Sequence, residues 1–234
     1  MQNHQESSMP GTDTDRLELI RAAKARAPRE AAALLAEYPA ARIAGVLHDL
    51  NPARTQDILA ELPGGLVDGI VQATSPALAR QWRTNQQFAE GAIGRMMEPV
   101  RAVFRPDASV RDTIEQLRPL VRTAFITYGY VTDEAGKLLG LITMRDLLFA
   151  ADDVRLESIM LRNPFVLGPT LQLADAMKLV LDRHYPAYPV CDGNGVLLGL
   201  VRGQAMFEEQ AFEITAQVGS MVGGLTYGAK KDAS

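Results

Sequence analysis

EAGKLLGLI, residues 134–142, is written a second time as GNGVLLGLV, residues 193–201. Working outward from these stretches, Asp133, Gly136 and Gly140 align with Asp192, Gly195 and Gly199 at one constant offset. Further upstream, Met97, Val103, Pro106 and Asp112 align with Met160, Val166, Pro169 and Asp175 at a second constant offset. Within the first copy, Val100 to Phe104 and Phe125 to Thr132 are rich in β-branched and aromatic residues, as strands are. Asp133 to Gly136 reads as a turn, Leu138 to Thr143 as a further strand, and Asp107 to Leu117 and Arg145 to Ala150 as helices. A unit of about 60 residues buries too little surface to be comfortable alone, so the two copies are expected to pack against each other.

Upstream of the tandem the period changes. From Arg16 to Trp82 the apolar residues recur at helical spacing, and Pro28, Pro39, Pro52, Pro63 and Pro76 punctuate them. EYPAARIAGVLHDLNP (37–52) and ELPGGLVDGIVQATSP (61–76) share a plan of acidic residue, proline turn, apolar helix and second proline turn, which suggests a helical repeat. The glycines of QQFAEGAIG (86–94) close this part. The expected fold is therefore α+β in two domains. A lead-in at 1–15, expected to be disordered, precedes a helical domain at 16–90, then one α/β copy at 91–155, a second at 156–210, and a helix start with a tail at 211–234.

Composition removes several functions. The net charge of -4, with lysine and arginine scattered, argues against nucleic acid as a main partner. A lone cysteine, Cys191, allows no internal disulfide and fits a reducing compartment. The polar N-terminus lacks the apolar stretch of a secretory signal, and no apolar run approaches the roughly 20 residues that span a bilayer. No direct membrane insertion by this chain is expected.

The residues carry a resemblance. GRMMEPVRAVFRPDASVRDTIEQL (94–117) with YVTDEAGKLLGLITMRDLL (130–148) resembles one cystathionine-β-synthase (CBS) domain, and SIMLRNPFVLGPTLQLADAMKLVL (158–181) with YPVCDGNGVLLGLV (188–201) resembles its partner. A proline-punctuated helical domain joined to such a pair through FAEGAIGRMMEP (88–99) is similar to the cytosolic region of MgtE-type magnesium transporters. That resemblance implies a cytoplasmic homodimer formed through the CBS pairs, in which regulatory Mg²⁺ between acidic surfaces holds a membrane pore closed. Family members continue into a connecting helix and a pore domain. FEEQAFEITAQ (207–217) is expected to begin that helix, so the chain reads either as part of such a transporter or as a stand-alone relative.

Two sets of candidate site residues follow. In Gly140 to Asp146 a strand runs into a helix start; the Asp146 carboxylate can accept from both ribose hydroxyls, and Thr143 and the free helix N–H groups suit a phosphate. The resemblance implies an adenosine nucleotide such as ATP there, with Tyr128 against the base and Arg145 beside Asp146. Thr143 and Asp146 are equally the residue types that cap a helix, and Tyr128 the type that fills a core. In the second copy Arg202 and Ala205 stand at the corresponding positions, so at most one nucleotide site per chain is expected.

The second set is acidic. Mg²⁺ keeps several waters and takes one or two carboxylates directly. Asp57 and Glu61, Asp152 and Asp153, and Glu208, Glu209 and Glu213 are the candidates under the resemblance; taken singly, each reads as a solvated surface charge. LGPTLQ (167–172) has no aspartate where some relatives carry them, which points to weakened sensing. His4, His48 and His184 lack partners at ligand spacing, and no nucleophile stands with a base, so an enzyme is not expected. The competing expectations are a magnesium-sensing regulatory region and a soluble adenosine-nucleotide sensor that regulates a partner protein.

Overall fold

The computed structural model describes residues 13–228, with side chains for residues 14–215; His4 and the last residues of the tail lie outside them. The chain forms two compact units that divide between Arg80 and Gln81.

The first unit is all helix: α1 (Asp13–Ala25), α2 (Pro28–Leu35), α3 (Ala40–His48), α4 (Pro52–Glu61), α5 (Gly64–Gln72) and the start of α6 (Pro76–Asn85). α1 begins at Asp13, inside the stretch read as a lead-in. Prolines open α2 and α4 at the position where a missing N–H costs nothing, and Asn51 caps α4 by accepting the Ala53 N–H at 3.0 Å. The two sequence repeats become α3 and α5, each entered from an extended proline, and Gly69 of α5 lets the pair approach so closely that an added Cβ would stand 3.3 Å from Ala40. α4 is buried on nearly every face. Its Arg54 reaches the carbonyls of Ala23 and Arg26 at the end of α1 through Nη2, and Thr55 donates to Leu47 O at 2.8 Å, so the Arg54 Nη2 and the Thr55 hydroxyl are inside but bonded.

α6 ends in the second unit, where Asn85, fully buried, donates to Met97 O at 2.7 Å and Arg95 O at 3.2 Å. The first copy follows: β1 (Val103–Phe104), α7 (Val110–Leu120), β2 (Tyr128–Thr132), β3 (Leu138–Thr143) and α8 (Met144–Phe149). After α9 (Leu156–Ile159) and β4 (Leu161–Arg162), the second copy supplies α10 (Leu173–Val180), β5 (Ala187–Cys191), β6 (Leu197–Arg202) and α11 (Gly203–Gly228). The β-branched stretch from Val100 shortens to Val103–Phe104, because only those residues pair with β2.

The strand order reveals an exchange. β4 belongs by sequence to the second copy, yet it pairs antiparallel with β3, completing the sheet order β1-β2-β3-β4 of the first. The corresponding segment of the first copy does the reverse, with Glu98 bridging Leu200 of β6. Other links repeat the pattern: Ala92 pairs with Gln172 and Ser109 with Arg155, Ile93 N–H donates to Leu171 O and Leu156 N–H to Ala108 O. Each pair of links joins aligned positions with the copies interchanged. The expected first strand of the second copy is reduced to one parallel bridge, Leu167 to Val190, after Asn163 at φ 49 and Pro164 break the extended run.

In the first copy, alternation sends Phe104, Val131 and Ile142 to one face, where they pack with Val110 and Leu117 of α7, Leu147 of α8 and Leu156 of α9. Tyr128, Tyr130 and Thr143 take the opposite face. α11 runs unbroken through the boundary drawn at residue 210, and among the described residues no helix is long and apolar enough to cross a membrane.

Candidate functional site

Three of the four nucleotide-binding candidates come together. Tyr128 and Thr143 are cross-strand partners on β2 and β3, and Asp146 lies in the first turn of α8. Thr143 and Asp146 form a complete capping box: the Thr143 N–H and hydroxyl both donate to Asp146 Oδ2 at 2.8 Å, and the Asp146 N–H donates to Thr143 Oγ1 at 3.2 Å. The capping role is therefore real, and it occupies the Thr143 hydroxyl proton. Asp146 Oδ1 has no partner among the described residues, so one carboxylate oxygen is held in a fixed direction and open to a ligand hydroxyl. Arg145 is exposed and shares with Asp146, Phe149, Ala150 and Ile159 an open depression of about 480 Å³.

The face that carries Tyr128 looks toward the second copy. Burial raises the Tyr128 phenol above its ordinary value, and the neighbouring hydroxyls of Tyr185 and Tyr188 push it the same way. Tyr128 and Tyr130 meet edge to face at 6.4 Å, and Tyr185 and Tyr188 stand 5.8 Å apart. Aromatic rings from both copies thus gather near Tyr128, whose partner strand runs into the helix start that holds Asp146, a set of groups that suits a flat base joined to a ribose. Sequence reading gave Tyr185 no role; its nearness to Tyr128 arises only from the docking of the copies.

The second copy lacks this chemistry. Arg202 occupies the place of Thr143, opposite Ala187 rather than a tyrosine, and Ala205 occupies that of Asp146. Arg202 closes instead on Glu98.

The acidic candidates are dispersed. Asp57 and Glu61 sit on α4, half-buried and exposed respectively. Asp152 pairs with Arg111 at 3.0 Å, Asp153 is exposed beside it, and on α11 Glu208 accepts from the Gln204 amide at 2.9 Å while Glu209 and Glu213 are half-buried. Among the described residues no three histidine, cysteine, aspartate or glutamate side chains converge as a metal site.

Residues 92–153 and 156–208 match the CBS domain family. The chain is 28% identical over 154 residues to the magnesium transporter MgtE of Thermus thermophilus, covering 65% of this chain and 33% of that protein. It is 30% identical over 104 residues to inosine-5'-monophosphate dehydrogenase of Korarchaeum cryptofilum, covering 44% of this chain and 22% of that one. The chain thus spans a third or less of these curated relatives. In three dimensions it matches the cytosolic domain of the Mg²⁺ channel MgtE in complex with ATP, with a TM-score of 0.69 at 23% identity over 84% of either chain. At that identity the match establishes the shared α+β fold, a helical region followed by the pair.

Proposed function

As this chain carries a pair of CBS domains, we propose that it is the regulatory region of an MgtE-type magnesium transporter, acting on the cytoplasmic side as a dimer that responds to Mg²⁺ and to an adenosine nucleotide. The observation that carries this reading is the order of parts: a proline-punctuated helical unit, then a CBS pair, then a long helix leading out of the second copy. The same pair also occurs in a dehydrogenase relative, so the pair alone names no reaction, and the function proposed is binding and regulation rather than catalysis.

Dimer formation is supported by exposed apolar residues on α8, on α11 and in the segment before β2. Phe149 at 83% exposed, Leu148 at 78% and Phe125 at 85% are large apolar residues that a lone soluble pair has little reason to display, and Phe207 at 53% and Phe212 at 48% continue the pattern on the second copy. Mg²⁺ would draw on one or two of the carboxylates Asp57, Glu61, Asp152, Asp153, Glu208, Glu209 and Glu213, relieving repulsion among them and so favouring one of two states. A pore domain in the same or another chain would receive the signal through α11.

Small-angle scattering in chelator and in millimolar Mg²⁺ tests the switch. The expected result is a smaller radius of gyration with Mg²⁺ at a constant dimer mass; identical profiles refute Mg²⁺ sensing by this chain.

A second reading, a stand-alone adenosine-nucleotide sensor acting on a partner protein, is favoured by the open Oδ1 of Asp146 and by the scatter of the carboxylates. Nucleotide binding with no Mg²⁺ response would select it.

A further inference from the structure

Tyr130 is 2% exposed, and its hydroxyl is buried with no hydrogen-bond partner among the described residues. A phenol enclosed this way forfeits the bonds it would make to water, so a chain that only needed the ring there would be served by phenylalanine. Its surroundings say where the hydroxyl is. Tyr130 lies two residues along β2 from Tyr128, on the same face of the sheet, and its ring meets the Tyr128 ring edge to face. It also feels Cys191 of the second copy, which places the phenol at the seam between the copies, one step deeper than Tyr128.

We propose that the Tyr130 hydroxyl reads the polar edge of the base that stacks on Tyr128, making it a specificity-determining residue for that base. The inference rests on the nucleotide reading above. A base laid against Tyr128, with its ribose on Asp146 Oδ1, turns its far edge toward the seam. A purine presents ring nitrogens and an exocyclic group there, and a phenol can donate to the one or accept from the other. The ligand then completes a hydrogen bond that the protein alone leaves unmade, whereas a ligand with phosphates and no base cannot.

Calorimetric titration of the full chain with ATP and with inorganic triphosphate, in the wild type, Tyr130→Phe and Asp146→Ala, tests this. Tyr130→Phe is expected to bind ATP about tenfold more weakly, the effect of one neutral hydrogen bond, and to bind triphosphate as the wild type does. Its denaturant midpoint without ligand should equal or exceed that of the wild type, because an unpaired hydroxyl is being removed. Wild-type ATP affinity in Tyr130→Phe, with ATP binding lost in Asp146→Ala, overturns this inference and leaves the nucleotide reading standing. An unfolded or strongly destabilised Tyr130→Phe also overturns it, since the hydroxyl would then be serving the fold. Absence of ATP binding in the wild type, or equal binding in Asp146→Ala, removes the nucleotide reading and this inference together.

Discussion

Arg202 closes Nε and Nη2 on the two carboxylate oxygens of Glu98, each at 2.7 Å, across a span of the chain that separates the lead into the first copy from the last strand of the second. The backbone agrees with the side chains, since Glu98 and Leu200 exchange both of their N–H···O bonds, at 2.8 and 3.0 Å. The bidentate geometry is the strong form of such a pair, although the Arg202 side chain is 55% exposed and screening reduces its worth.

Glu98→Gln should therefore lower the stability of the second unit by about 1 kcal/mol or less, read as a shift in urea midpoint with an unchanged slope. It should not create a second nucleotide site, because Ala205 still offers no carboxylate; calorimetric stoichiometry should stay at one nucleotide per chain.

Asp146→Ala should have two separable effects. Loss of the capping box costs about 1 kcal/mol of stability, and loss of Oδ1 removes ATP binding. Asp146→Asn keeps an oxygen for the cap, so it should restore most of the stability while ATP affinity stays more than tenfold reduced, since a neutral amide is a weaker acceptor for ribose hydroxyls than a carboxylate.

Gly140→Ala and Gly199→Ala should each destabilise the pair. An added Cβ at Gly140 would lie 2.8 Å from Leu161 O and from Met160 Sδ, and one at Gly199 would lie 2.9 Å from Met97 Cβ and 3.0 Å from Glu98 O. Both glycines stand where an exchanged segment crosses the hairpin. Overpacking of this kind costs about 1–3 kcal/mol, and the two variants should resemble one another in thermal denaturation.

Burial pushes the Cys191 thiol up to about 11 from 9.0, with Asp192 adding to the effect. The folded chain then holds the proton more tightly than the unfolded chain. Stability is full below pH 9 and falls as pH rises through about 11, by up to about 3 kcal/mol. Cys191→Ala should remove that part of the alkaline loss, and iodoacetamide at neutral pH should label Cys191 only when denaturant is added.

Much of this was legible because it is local or repeated. The hairpin glycines, the proline-opened helices and the matching Met, Val, Pro and Asp positions carry short-range rules, so the α+β order and the asymmetry between Thr143 with Asp146 and Arg202 with Ala205 could be read directly. What escaped depends on contacts distant in sequence. No spacing rule assigns Leu161–Arg162 to the sheet of the other copy, brings Tyr185 beside Tyr128, or pairs Arg202 with Glu98. The carboxylates were readable as a class, yet Asp152 is held by Arg111, and helical spacing alone could not supply that partner.

The crossed segments give the duplication a history as well as a shape. Each copy supplies an edge to its neighbour, so neither half could be shed without unmaking the other. Under that constraint a copy can surrender its ligand chemistry and still be retained as a structural donor. The second copy, with an arginine and an alanine where the first has a threonine and an aspartate, still lends β4 to its neighbour's sheet and closes Arg202 on Glu98, so what holds it in place does not depend on those two lost side chains.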